Sequence, residues 1–247
     1  MTVPFAMTQD NPRQDNPRHF PSPLRAALID MDGVLYDSMP HHALAWQCMF
    51  AEIGVDVTSD EFFGYEGMTG SATIDLVMQR ERGVTLPDEE KKRLYARKTQ
   101  LFREMGEVVL MPGADSMLAS LRRAGVRCVL VTGSGQSSVI SRIDRDYPGV
   151  FASADRITAL DVTHGKPHPE PYLRGLAIAG TDAAHAIVIE NAPLGVRAGI
   201  AAGLFTVAVT TGPIARQSFV DEGADMIFPS MEEFADTLPR LVISRKP

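Results

Sequence analysis

The stretch AALIDMDGVLYDS, residues 26–38, decides how the chain reads. Ala26 to Ile29 form an apolar run of strand length, and the run ends on two aspartates one residue apart with a glycine behind them. Carboxylates that close repel, so Asp30 and Asp32 at a strand tip call for a compensating cation or a reaction that uses both. Asp and Gly are also common turn residues, and DMDG resembles the opening of a calcium loop. The calcium reading fails on spacing: the glycine comes too early, and Val34 and Leu35 stand where oxygen ligands belong.

Outward from this stretch, short β-branched or apolar runs recur at RAALID, VRCVLVT, AIVIE and FTVAVT, with a shorter one at DMIF. A turn and a helical pattern follow, as in SSVISRIDRDY, EPYLRGLAIAG and PLGVRAGIAAG. This alternation predicts an α/β fold with a parallel, doubly wound sheet. Residues 40–107 break the rhythm. They hold the helical patterns HHALAWQCMFAEIG, SATIDLVMQRERG and DEEKKRLYARKTQLFREMG with no strand between them, and are expected to form an inserted helical domain. The charged run DEEKKRLYARK reads as a solvated helix face laced with i,i+4 pairs. Residues 1–22, with the near-repeat DNPRQDNPR, read as a flexible leader, which leaves 23–39 and 108–247 for the core.

With 247 residues, 45% of them apolar, the chain can bury a substantial core in one or two domains. Its net charge of -7 offers no broad basic field for nucleic acid or anionic lipid, so neither is an expected partner. Cys48 and Cys128 are too few for a disulfide framework. No apolar run approaches bilayer length, and the first residues lack signal-peptide features. A soluble, cytoplasmic monomer is expected.

In open parallel sheets ligands bind beyond the carboxyl ends of the strands. Asp30 and Asp32 stand at one such end, Thr132 at another within VTGSGQ, and Glu190 and Asn191 at a third within IENAPLG, while the loop HGKPHPEP supplies Lys166. This set suits phosphoryl transfer. A carboxylate can attack phosphorus, and a hard divalent ion such as Mg²⁺, held by one or two carboxylates, offsets the repulsion between the two anions. An ammonium and a hydroxyl stabilise charge on the phosphoryl oxygens, and a second carboxylate can move a proton. Gly33 lets the chain turn beneath a bound phosphate. His41, His164 and His168 lack the spacing of a zinc site, and Ser134 and Ser137 read as caps of the following helix. Trp46 and the methionines read as packing.

Together, DMDGVLYDS, VTGSG, GKPHPEPY and IENAPLG resemble, in order, the four motifs of the haloacid dehalogenase superfamily. The resemblance implies a Rossmann-like core with an inserted helical cap, with Asp30 as nucleophile and Asp32 as general acid and base. It also makes Thr132 the phosphate-binding hydroxyl and Lys166 the charge-stabilising amine, with Gly33, Gly133 and Ser134 around the phosphate. Mg²⁺ would be held by Asp30, the carbonyl of Asp32, and Glu190 or Asn191. The fourth motif departs from the usual form, because Asn191 stands where an aspartate is normal. The insertion resembles the cap of the β-phosphoglucomutase-like subgroup, which also holds phosphatases. His42 falls at that subgroup's cap histidine. In YEGMTGS, Glu66 and Gly70 replace the lysine and arginine that grip a sugar phosphate in the mutases. Losing two cations favours a hydrolase of a small phosphorylated compound over a hexose-phosphate mutase. DSMPHHALAW, YEGMTG and IENAPLG also look like inorganic pyrophosphatases found among these capped enzymes.

Overall fold

The structure, a computed structural model, describes residues 18–135 and 137–243. Six strands form one parallel sheet in the order β5-β4-β1-β6-β7-β8. These are β1 (Ala26–Ile29), β4 (Arg127–Val131), β5 (Arg156–Ile157), β6 (Ala186–Glu190), β7 (Phe205–Val209) and β8 (Met226–Phe228). β1, β6 and β7 are buried at every position, which is why their sequences are apolar runs rather than alternating patterns. A two-residue antiparallel pair, β2 (Tyr36–Asp37) with β3 (Val109–Leu110), joins the ends of the helical insertion.

The helices are α1 (Met39–Glu52), α2 (Glu61–Gly64), α3 (Gly70–Arg82), α4 (Asp88–Glu104), α5 (Ala114–Arg123), α6 (Ser137–Asp146), α7 (Glu170–Ala179), α8 (Pro193–Ala201), α9 (Arg216–Asp221) and α10 (Met231–Ile243). Because strand residues alternate between faces, Ala27 and Ile29 pack with Met117, Leu121 and Phe234 on one side of the sheet. Ala26 and Leu28 pack with Tyr172 and Ala198 on the other. The α1–α4 segment carries a cluster of its own, built on Trp46, Phe50, Phe62, Ile74, Val77 and Leu94. At about 1.5–3 kcal/mol for each large apolar side chain buried, such a cluster is a substantial stabiliser.

The register fixes what meets at the sheet edge. Ile29 lies opposite Leu130 of β4 and Ile189 of β6. Asp30 and Glu190 therefore stand level at the sheet edge, with Thr132 one residue further along. The expected α/β sheet is present; β5 is an addition to it, and β2 and β3 form a separate pair. With two residues each, these strands are too short to show any period. The leader reading lies outside the described residues up to residue 17. Beyond it, Arg18 pairs with Asp225 at 3.1 Å and Phe20 packs edge-on against Phe205.

Candidate active site

At the tip of β1, Asp30 is buried and its Oδ1 accepts a hydrogen bond from Lys166 Nζ. The same ammonium donates to Glu190 Oε1 at 2.6 Å, so one cation sits between two carboxylates from different segments. Tyr172 of α7 also donates to Glu190 Oε1, at 2.6 Å. The other oxygen of Glu190 accepts the amides of Asn191 and Ala192. Burial pushes Asp30 well above the usual carboxylate value, partly offset by Lys166. Lys166 is itself buried, yet Asp30 and Glu190 hold it above the ordinary lysine value.

Asp32 faces a different set of partners. Its Oδ1 accepts from Ser38 Oγ at 2.5 Å and from His42 Nε2 at 3.2 Å. His42 Nδ1 lies 2.5 Å from Lys98 Nζ. With Lys98 protonated, the chain is satisfied when Lys98 donates to Nδ1 and Nε2–H donates to Asp32. Burial opposes the charge on Asp32, but His42 and Ser38 outweigh it and hold this carboxyl below its ordinary value. Lys98 is buried among Trp46, Phe102 and His42, and that burial lowers it to about 7. His42 stacks on Phe102 at 4.1 Å and is lowered by burial and by Lys98.

Glu66 reaches in from the helical insertion. Both its oxygens accept from Asn191 Nδ2, at 2.9 and 3.0 Å. Burial and the charge of Asp30 push Glu66 well above the usual value. The loop that carries it fits closely: a Cβ on Gly67, whose φ is +88°, would lie 2.7 Å from Lys166 Cδ, and one on Gly133 would lie 2.8 Å from the Gly67 carbonyl. Gly33 turns at φ +76°, where a Cβ would overlap Asn191, and Thr211 Oγ1 holds its carbonyl at 2.6 Å.

These contacts divide the space in two. A cavity of about 70 Å³ is lined by Asp30, Asp32, His42, Glu66, Lys98 and Ser134, among others. A second, of about 290 Å³, lies beside Asn191 between Gly33, Asp37, Phe63 and Thr211. The residues present fit a hard cation. Asp30, Asp32, Glu66 and Glu190 crowd the site, with Lys166 paired to only two of them, and Asn191 Oδ1 is buried without a partner among the described residues. A divalent ion held by oxygens would satisfy that atom and offset the excess charge.

The structure thus brings Asp30, Asp32, Lys166, Glu190, Asn191, His42 and Glu66 together, with Gly33, Gly133 and Ser134 around them. Thr132 is buried at the end of β4, where its Oγ1 accepts the Ser134 amide at 3.0 Å and leaves its own proton free to donate. Reading Ser134 and Ser137 as caps of α6 turns on residue 136 and the side chain of Ser137, which lie outside the described residues.

Ser38, Lys98 and Tyr172 escaped the sequence reading. Lys98 corrects it, because this last residue of the run read as a solvated face is 2% exposed. Leu94, Lys98 and Phe102 share one inward face at helical spacing, which was the available signal. The exposed pairs of that run, Glu89–Lys92 and Glu90–Arg93, are i,i+3 rather than i,i+4.

A parallel-sheet core with a buried acid–lysine cluster at its carboxyl edge, closed over by a helical insertion, defines a capped α/β enzyme. The model of the haloacid dehalogenase-like hydrolases matches residues 24–203, and the chain belongs to that family as an enzyme of phosphatase type. A putative beta-phosphoglucomutase from Bacteroides vulgatus superposes with a TM-score of 0.86 at 43% identity, over 91% of each chain. Hexitol phosphatase A of Escherichia coli is 29% identical over 74% of this chain and 81% of its own length. Beta-phosphoglucomutase of Bacillus subtilis is 26% identical over 76% and 84%. No helix among the described residues is long and apolar enough to cross a membrane.

Proposed function

We propose that the protein is a Mg²⁺-dependent phosphohydrolase that passes the phosphoryl group through Asp30, with inorganic pyrophosphate as its compact substrate. One observation carries the reading: the insertion places a carboxylate, Glu66, over the site, and the lysine it brings to the cavity lining, Lys98, is held on His42. Nothing in that arrangement grips a second, distal phosphate as a mutase requires.

Asp30 Oδ attacks phosphorus, the bond from phosphorus to the leaving oxygen breaks, and an acyl phosphate forms on Asp30. Lys166 and the Thr132 hydroxyl are placed to stabilise the charge on the phosphoryl oxygens. Asp32, held as the carboxylate by Ser38 and His42, has no proton to give. That suits a phosphate leaving group, which departs as a stable anion, better than a sugar alkoxide. In the second half Asp32 takes a proton from water, the water oxygen attacks phosphorus, and phosphate leaves as Asp30 is restored. Mg²⁺ held by Asp30, the Asp32 carbonyl, and Asn191 with Glu66 or Glu190 would supply Lewis-acid charge compensation.

The likeness to proteins named beta-phosphoglucomutase favours a second reading, a hexose-phosphate mutase, and the relatives named as sugar phosphatases keep sugar phosphates among the candidate substrates. Phosphate release is measured with and without Mg²⁺ on pyrophosphate, phosphoglycolate and hexose phosphates, beside a glucose 1-phosphate isomerisation assay. Release from pyrophosphate without isomerisation is expected. Isomerisation primed by a sugar bisphosphate, with no net release, establishes the mutase instead.

A further inference from the structure

The loop that delivers Lys166 inward carries two imidazoles outward. His164 and His168, set aside as metal ligands in the sequence reading, have ring centroids 4.6 Å apart. Glu170, the first residue of α7, stands beside them, and one ligand-capable atom from each of the three residues lies within 4.8 Å of the others. Both histidines are exposed, so an ion could reach them from solvent. None of the three takes part in the phosphoryl-transfer cluster.

We propose that His164, His168 and Glu170 form an accessory site for a borderline divalent metal such as Zn²⁺, Ni²⁺ or Cu²⁺. The chemistry of the donors separates it from the catalytic site. Two imidazole nitrogens and one carboxylate oxygen suit these metals, whereas Mg²⁺ prefers all-oxygen surroundings, which the cluster around Asn191 provides. Glu170 is already oriented. Its Oε1 accepts the Thr163 amide at 3.0 Å and pairs with Arg174 at 2.7 Å, while its Oε2 accepts the His164 amide at 2.9 Å and faces His164 Nδ1 at 3.1 Å. A metal bound between Oε2 and Nδ1 takes the place of the proton shared there. Three protein ligands leave the remaining positions to water, as in open metal sites. Arg174 is the neighbouring cation that opposes binding, and its pairing with Oε1 leaves Oε2 for the metal.

The site lies at the seam between core and insertion. A Cβ on Gly165, the residue between His164 and Lys166, would lie 2.8 Å from Thr69 Cγ2. The loop is therefore packed in place before any metal arrives, which lowers the ordering cost of binding.

The test is titration of the untagged full chain with Zn²⁺ by calorimetry, with Mg²⁺ in excess, together with the electron paramagnetic resonance spectrum of the Cu²⁺ form. One Zn²⁺ per chain and a Cu²⁺ spectrum split by two imidazole nitrogens are expected. His164→Ala and His168→Ala should each weaken binding about tenfold or more. The double variant should bind no Zn²⁺ and keep the wild-type melting temperature. Absence of Zn²⁺ uptake by the wild type, or unchanged uptake by the double variant, overturns the proposal.

Discussion

On the proposed reading, Lys98 and Glu66 are the residues that separate the protein from a sugar-phosphate mutase. Burial lowers Lys98 to about 7 from an ordinary 10.5. Between those values the unfolded chain holds a proton that the folded chain has shed, so this residue makes stability climb with pH across that window. Lys98→Met should flatten the climb, as read by urea denaturation in steps from pH 7 to pH 10. A wild-type slope that survives in the variant would show that Lys98 is not the titrating group. Glu66→Ala should lower turnover of pyrophosphate about 10- to 100-fold and raise the Mg²⁺ concentration needed for half-maximal rate, since both oxygens of Glu66 hold Asn191. An unchanged Mg²⁺ requirement would remove Glu66 from the metal's surroundings.

At the level of elements, the loop from Glu66 to Thr69 locks the insertion onto the core through close backbone approach. Gly67→Ala forces a side chain into φ +88° and against Lys166, at a cost of about 1–3 kcal/mol. Only the closed arrangement bears the contact with Lys166, so turnover should fall by roughly 5- to 150-fold. Gly64→Ala, with nothing within 4 Å of its Cβ, is the control and should leave turnover unchanged. Equal effects of the two substitutions would contradict the lock. Much of this scale was legible in the chain: β1, β4, β6 and β7 announced themselves as apolar runs because they are buried on both faces, and β8, only half-buried, showed as a shorter run. The acids at the strand ends were visible because carboxylates rarely end a buried run without a partner. Lys98 was hidden because a lysine in a charged run looks solvated, and only its spacing from Leu94 and Phe102 turns it inward. The link from His164 to His168 and Glu170 was hidden because a loop's path is set by tertiary contacts.

For the molecule as a whole, neighbouring strand ends supply the acids and the hydroxyl, the loop before α7 supplies the amine, and the insertion closes over them with a cavity of about 70 Å³. In the proposed mechanism that division of work assigns the chemistry to the core and the choice of acceptor to the insertion, and the central step is transfer of the phosphoryl group to Asp30. Acid quenching of the enzyme during turnover of ³²P-labelled pyrophosphate with Mg²⁺, followed by mass spectrometry of the peptides, tests that step directly. The label is expected on Asp30 in the wild type and nowhere in Asp30→Asn, whose turnover should fall by roughly 10³-fold or more. Rapid phosphate release with Asp30 unlabelled, or persisting at near-normal rate in Asp30→Asn, would contradict it.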